Sequence, residues 1–500
     1  MRRTLFSLIL TPVLLAGCGS AVVNPVSGER ERSVMSEASE LAEGQKAHQQ
    51  VLQEYGLVKN AKLQAYVNEL GQQLAKLSHR SQLQWHFTVL DSPEINAFAL
   101  PGGYVYVTRG ILAYMDSEAD LAGVIGHEIG HVTARHGAQR ATRQQDAGLG
   151  VLAASVLGAV LESQGMAGAG QTASQVSQSV ASGYIASYGR EQELQADGLG
   201  AEYLARSNHD PRNMINVITV LKDQERFAAD QARAEGRAAP QSNSWLASHP
   251  SNEQRLQMIT QLAAQYPLKS KSAYADEGRV RYLQAIGGMA FGESAEQGLV
   301  RGRHFYHEAL GIALTSPLGW KIQNEPSQLT LVNAERDAAL VLKTAPPQAG
   351  RTHDEVIKSL LQPTQGQTDR LLINGLPATH FSGVRTNAQG LAKTLEATVV
   401  SGPASTTYLL NYVAKDAAAL QRARSSLQEA QATFRALTAT DRAAARPWVI
   451  QTTPYPRGGF AELARHSPLE RAAQHLRLIN GFYGGGEPRP GQLVKVVAAF

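Results

Sequence analysis

His127-Glu128-Ile129-Gly130-His131 is the stretch around which the rest of this 500-residue chain is read. Residues four apart on a helix lie on one face about a turn apart, so both imidazoles can reach one metal ion. Glu128, beside the first imidazole, can lean over a water held there. Zinc suits this arrangement, because neutral imidazole nitrogens ligate it well and a catalytic site combines three protein ligands with one position open to water. The ion lowers the pKa of that water toward neutrality, and a nearby carboxylate takes its proton as it attacks a carbonyl carbon. Two histidines merely satisfied in a helix core are the alternative, and a third ligand decides between the two.

Metzincins place a third His six residues after the pair, but that position here is Gly137, and His136 falls one residue early. A carboxylate on a second helix remains, and Glu193-Leu194-Gln195-Ala196-Asp197 offers one. Glu193 and Asp197 are four apart on one helical face, so Glu193 can complete a His-His-Glu site while Asp197 supports a ligand imidazole from behind. A solvated acidic face is the bland alternative for such a pair; the histidines upstream tip the choice toward metal binding.

Outward from the string, residues 117–136 keep a helical period, and Ser117 with Asp120 three residues on marks a helix start. Residues 85–90 alternate as a strand, and Tyr104-Val105-Tyr106-Val107-Thr108 follows the turn former Pro101-Gly102-Gly103, so a small antiparallel sheet is expected. Leu63, Tyr66, Val67, Leu70, Leu74 and Leu77 recur at helical spacing. Residues 148–183, rich in Ala, Gly, Ser and Gln, read either as a mobile helical excursion near the site or as a buried helix plus loop. Helices are expected over residues 187–205 and onward to about residue 262. Residues 266–302 read as a linker, residues 303–440 as an α+β accessory domain without a catalytic motif, and residues 441–500 as a short C-terminal segment, weakly similar to a LysM module.

Composition is that of a globular protein, with 43% apolar and 18% charged residues, and the length argues for more than one core. A formal charge of +4 spread over the chain, with no concentrated basic stripe, gives nucleic-acid binding no support. The single cysteine is Cys18, so no intramolecular disulfide forms. Arg2-Arg3, an apolar run over residues 5–15 and then Leu15-Ala16-Gly17-Cys18 resemble a bacterial lipoprotein signal ending at a lipidated Cys18, with residues 19–35 as a tether. Gly19, rather than Asp, after the cysteine favours sorting to the outer membrane by that resemblance.

Four blocks now stand in order: residues 95–103, Ile-Asn-Ala-Phe-Ala-Leu-Pro-Gly-Gly; the His127 to His131 string with His136; Glu193 to Asp197; and Ser248-His249-Pro250 with Arg255. Together they resemble the M48 family of metallopeptidases, in its soluble bacterial lipoprotein branch, over residues 24–262. The resemblance implies an α+β fold in which a mostly α-helical zincin-type metallopeptidase domain with a small antiparallel sheet spans residues 36–265. It implies one Zn2+ per chain on His127, His131 and Glu193, with Glu128 as general base and Asp197 orienting a ligand His. Asn96, Ala97 and Phe98 would offer a strand to an extended substrate backbone. His249 would stabilise an oxyanion or occupy the open coordination position, the alternative being a loop His before Pro250.

The function so implied is an envelope metalloendopeptidase that cleaves unfolded or misassembled periplasmic and outer-membrane proteins, held on the periplasmic face of the outer membrane by Cys18. The alternative is a chaperone-like or scaffold lipoprotein with latent proteolysis, whose C-terminal domains bind an outer-membrane assembly or cell-wall partner. No helical-repeat pattern follows residue 262, and the apolar spans of an integral-membrane relative are missing.

Overall fold

The structure, a computed structural model, describes residues 20–145, 188–236, 238, 245–250, 253–266, 278–325, 327–387 and 390–499. Cys18 and the 148–183 excursion lie outside the described residues. The stretch expected to be a tether instead holds an antiparallel hairpin of β1 (Ser20–Val23) and β2 (Arg30–Ser33). Its polar composition reads as linker, yet Asn24 is buried and its side chain accepts from the Val26 and Ser27 amides, closing the turn locally.

Ser36 caps α1 (Glu37–Tyr55) and Asn60 caps α2 (Ala61–Ala75), each side chain accepting from first-turn amides. The apolar face of α2 lies on β3 (His86–Leu90), and an added Cβ at Gly71 would fall 2.3 Å from the Phe87 ring, so only glycine permits that approach. With β4 (Ala97–Leu100) and β5 (Tyr104–Thr108), β3 forms a sheet of order β3-β5-β4. It is mixed rather than antiparallel: β4 pairs antiparallel with β5, whereas β3 runs parallel to it. The turn at Gly102 and Gly103, with φ of 84° and 96°, folds β4 back on β5, leaving β3 the far edge. Side-chain alternation is the same in both orientations, which is why the sequence pattern did not distinguish them.

After α3 (Arg109–Tyr114), a capping box of Ser117 and Asp120 opens α4 (Glu118–Thr133), which is buried along its whole length. It crosses α5 (Arg190–Arg206) at three glycines. Added Cβ atoms at Gly126, Gly130 and Gly200 would come within 3.1 Å, 2.9 Å and 3.1 Å of Leu204, the Ala196 carbonyl and the His127 nitrogen. Backbones pressed that close carry the histidines of one helix to the carboxylates of the other. Behind them lie α6 (Asn213–Ala234), a helical turn at Trp245–Ser248 and α7 (Glu253–Gln265).

The stretch expected to be a linker contains α8 (Arg279–Ile286) and β6 (Ala290–Phe291), and Tyr282, Leu283 and Ile286 are buried in the same core as α2 to α6. Its charged and glycine residues mask a three- and four-spaced apolar face.

Beyond it, β7 (Leu299–Arg301), β8 (His304–His307) and β9 (Ile312–Thr315) make a small sheet, joined later by β17. Next come β10 (Lys321–Glu325), β11 (Gln328–Val332), β12 (Ala338–Thr344), α9 (His353–Leu361), β13 (Gln365–Ile373), β14 (Leu376–Thr386), β15 (Ala392–Ser401), β16 (Thr407–Ala414), α10 (Ala417–Ala432) and β17 (Arg435–Ala436). A seven-stranded antiparallel sheet of order β10-β11-β12-β16-β15-β14-β13 results, with α10 over one face and α9 over the other.

The last segment does not stand apart. β18 (Trp448–Pro454) pairs with β6 and with β19 (Leu493–Ala499), flanking α11 (Ala472–Ile479). Ile450, Leu476, Ile479, Val494 and Val497 enter the same core as α2 to α6. Buried Lys495 donates to the Met115 carbonyl, tying the chain's end to the residues just before α4.

Candidate metal centre

α4 presents His127, Glu128 and His131 on one side of a buried cleft, α5 presents Glu193 and Asp197, and the turn at Trp245–Ser248 delivers His249. All six side chains are at most 2% exposed. His127 Nε2 lies 3.0 Å from His131 Nε2 and 3.6 Å from a Glu193 oxygen; His131 Nε2 lies 3.5 Å from the other. His249 joins them, its Nδ1 3.2 Å from His127 Nε2 and 3.1 Å from Glu193. The sequence-expected trio is therefore brought together with His249 as a fourth donor, all four ligand atoms within 4.8 Å of one another.

The supporting contacts fix orientation. Asp197 lies 2.9 Å from His127 Nδ1 and is gripped by Arg255 at 2.6 and 2.7 Å. An ionised Asp197 only accepts, so His127 carries its proton on Nδ1 and turns a bare Nε2 lone pair into the cleft. The Trp245 indole N–H donates to Glu128 Oε1 at 2.9 Å. Among the described residues Glu128 Oε2, also buried, has no hydrogen-bond partner. Lone pairs and carboxylates facing one another in a dry interior repel unless a cation lies between them. Two imidazoles and a carboxylate suit a divalent transition ion such as zinc.

Burial shifts these groups and their neighbours decide the sign. Burial pushes the Glu193 and Asp197 carboxyls up, but His249 and His127 beside Glu193, and Arg255 and His127 beside Asp197, outweigh it and hold both low. His131 lies well below the usual imidazole range, chiefly through burial and then through His127, His136 and His249. His249 is raised, because Glu193 and Glu128 overcome its burial.

A family model described as "Peptidase family M48" matches residues 61–263. Over these residues the chain is similar to an M48 metallopeptidase domain. The beta-barrel assembly-enhancing protease of Yersinia pestis is 32% identical over 235 residues, 45% of this chain and 47% of that protein. Its Escherichia coli counterpart is 31% identical over 210 residues, 42% of this chain and 43% of that one. The mitochondrial metalloendopeptidase OMA1 of Schizosaccharomyces pombe is 28% identical over 255 residues, 50% of this chain and 68% of that protein. The chain thus spans about half the length of the first two relatives, and the residues that match the family model include those of the cleft.

Asn96 lies just before β4, and Ala97 and Phe98 on it, at an edge of the three-stranded sheet packed against α4. The Ile95 carbonyl accepts from the Trp245 amide at 2.6 Å, which ties that edge to the turn carrying His249. Sequence reading did not assign roles to Trp245, Arg255, His136 or Gln195. Arg255 stood in a quoted block and His136 beside the string, so their positions were signalled but not their contacts. Trp245 left no signal beyond being an aromatic four residues before His249.

Proposed function

We propose that the protein is a zinc-dependent endopeptidase of the bacterial cell envelope, hydrolysing peptide bonds of unfolded or misassembled periplasmic and outer-membrane proteins. The observation that carries this reading is the convergence of His127, His131 and Glu193 beside a Glu128 oxygen without a hydrogen-bond partner among the described residues. His127, His131 and Glu193 would hold one zinc ion. When bound, zinc supplies the Lewis acidity that acidifies a water and polarises a peptide carbonyl. Glu128, clamped through Oε1 by Trp245, keeps Oε2 for the proton that the water gives up and returns it to the leaving amine. Asp197 and Arg255 hold the His127 tautomer, and the β4 edge next to Asn96, Ala97 and Phe98 takes the substrate backbone as an added strand.

Extended-strand recognition reads main chain more than side chain and so suits unfolded clients. Two relatives carry the name beta-barrel assembly-enhancing protease, which supports an outer-membrane setting. Anchoring would come from lipidated Cys18 at the periplasmic face; no helix among the described residues is long and apolar enough to cross a membrane. Metal analysis together with cleavage of an unfolded model protein tests the reading. Parent protein is expected to bind about one zinc per chain, and Glu193→Ala to lose both metal and cleavage. Full cleavage by metal-free protein overturns it.

A second reading has its own support. His249, seated among the ligands, gives low resting activity if it fills the fourth position, and residues 448–499 run strand, helices, strand with the strands antiparallel, an order compatible with a small wall- or partner-binding module. Capture of peptidoglycan or of an assembly partner by the Glu128→Gln protein, undiminished by loss of cleavage, would favour that scaffold role.

A further inference from the structure

The two α4 histidines are held from behind in chemically different ways. His127 faces a carboxylate, which accepts and cannot donate while Arg255 keeps it ionised. His131 faces a neutral chain: its Nδ1 lies 2.8 Å from Nδ1 of His136, whose Nε2 lies 2.8 Å from Oε1 of Gln195. A neutral imidazole has one donor nitrogen and one acceptor nitrogen, so such a chain has a direction set at its far end. With the Gln195 carbonyl inward, His136 donates through Nε2 and accepts at Nδ1. His131 then donates through Nδ1, and its Nε2 faces His127 and Glu193 as a bare lone pair.

Turning the Gln195 amide over reverses every step. Its NH2 then donates to His136 Nε2, His136 donates through Nδ1, and His131 carries its proton on Nε2, pointing to where a cation would sit. Gln195 is half-buried and lines a solvent-open hollow with Gln139 and Gln192, so no packed core fixes which way the amide faces. A carboxylate would have one direction only; a carboxamide has two of the same shape.

We propose that Gln195, acting through His136, is a positioning residue that sets which His131 nitrogen carries the proton and thereby how tightly the site takes a divalent cation. This rests on His127, His131 and Glu193 being the metal ligands. Zinc is titrated into the full metal-free chain against a chromophoric chelator, for parent, Gln195→Glu and Gln195→Leu, with histidine 15N spectra of the metal-free proteins. Supporting partners of this kind are worth about 10- to 100-fold in metal affinity. Gln195→Leu is expected to weaken zinc binding about tenfold and to mix the His131 tautomers, while Gln195→Glu binds at least as tightly as parent with the proton on Nδ1. Gln195→Met, which keeps the chain length, repeats the measurement should leucine lower the metal-free melting temperature.

Zinc affinity in both apolar variants within about twofold of parent, well below the expected range, overturns the relay, as does Gln195→Glu binding more weakly than parent. A parent chain that takes no zinc sinks the metal site and the relay together; zinc binding unmoved by the substitutions sinks the relay alone.

Discussion

Where α4 crosses α5 the interior is polar: His127, His131, Glu193, Asp197, His249 and Arg255 are buried together, paired only in part with one another. Between the seven-stranded sheet and α10 it is apolar: Leu340, Leu410, Leu427, Ala430 and Phe434 fill the space, and a buried carboxylate, Glu396, sits at the rim 2.9 Å from Arg424. Burying charge costs several kcal/mol per ion unless it is paired, so a fold carries a cluster of charges only where something recovers the cost. In the first region a bound cation would do so, as proposed above; in the second, apolar packing carries most of the stability. The two regions should therefore fail in different ways.

The largest expected effect falls on chemistry without touching stability. Glu128→Gln is expected to lower kcat by about 10²- to 10⁴-fold, the range for loss of a general base, while zinc content and melting temperature stay at the parent's values. Cleavage at the parent's rate would remove Glu128 from the mechanism and leave the polar cluster without its purpose.

Arg255→Met is expected to hit stability. Arg255 is fully buried and pairs with Asp197 and Glu193, so its removal leaves two buried carboxylates partly uncompensated, a loss of about 3–5 kcal/mol in metal-free protein. Chemical denaturation with and without zinc checks this, and zinc should restore part of the loss by taking over Glu193. Leu427→Ala probes the other region: a fully buried leucine truncated on α10 should cost about 2–5 kcal/mol as lost apolar contact plus a cavity. Protein that is still folded should cleave an unfolded substrate at the parent's rate. A large change in kcat would show that the sheet and the cleft are energetically coupled.

The same contrast explains how much could be read in advance. Ligand chemistry is local in sequence: His127 with His131, and Glu193 with Asp197, each sit one turn apart, so helical periodicity alone put each pair on one face. The α+β character of residues 303–440 was equally legible. What joins elements was not. Gly126, Gly130 and Gly200 matter because two backbones meet there, and nothing in a single strand of sequence marks a partner 70 residues away. The return of Leu476, Ile479, Val494 and Val497 to the first core is a long-range pairing of the same kind. The mixed sheet escaped because alternation does not encode strand direction.

The smallest expected effect comes from that returning segment. His475 on α11 is half-buried, packed against Phe227 and Phe291 with Nε2 3.3 Å from the Tyr114 hydroxyl, and desolvation pushes its pKa down to about 4. An unfolded chain binds a proton at this imidazole near its ordinary pKa of 6.5, while the folded chain resists until about 4. The folded state therefore binds fewer protons across that interval, and the group's contribution is intact above pH 6.5 and lost progressively as pH falls toward 4. His475→Gln keeps a polar group near Tyr114 but cannot titrate, so the difference in unfolding free energy between parent and variant should shrink in the parent's disfavour as pH falls through that window. A difference independent of pH would mean that the imidazole takes up its proton as readily in the fold as in the unfolded chain, and that the C-terminal segment meets α3 and α6 through a wetter contact than its apolar neighbours imply.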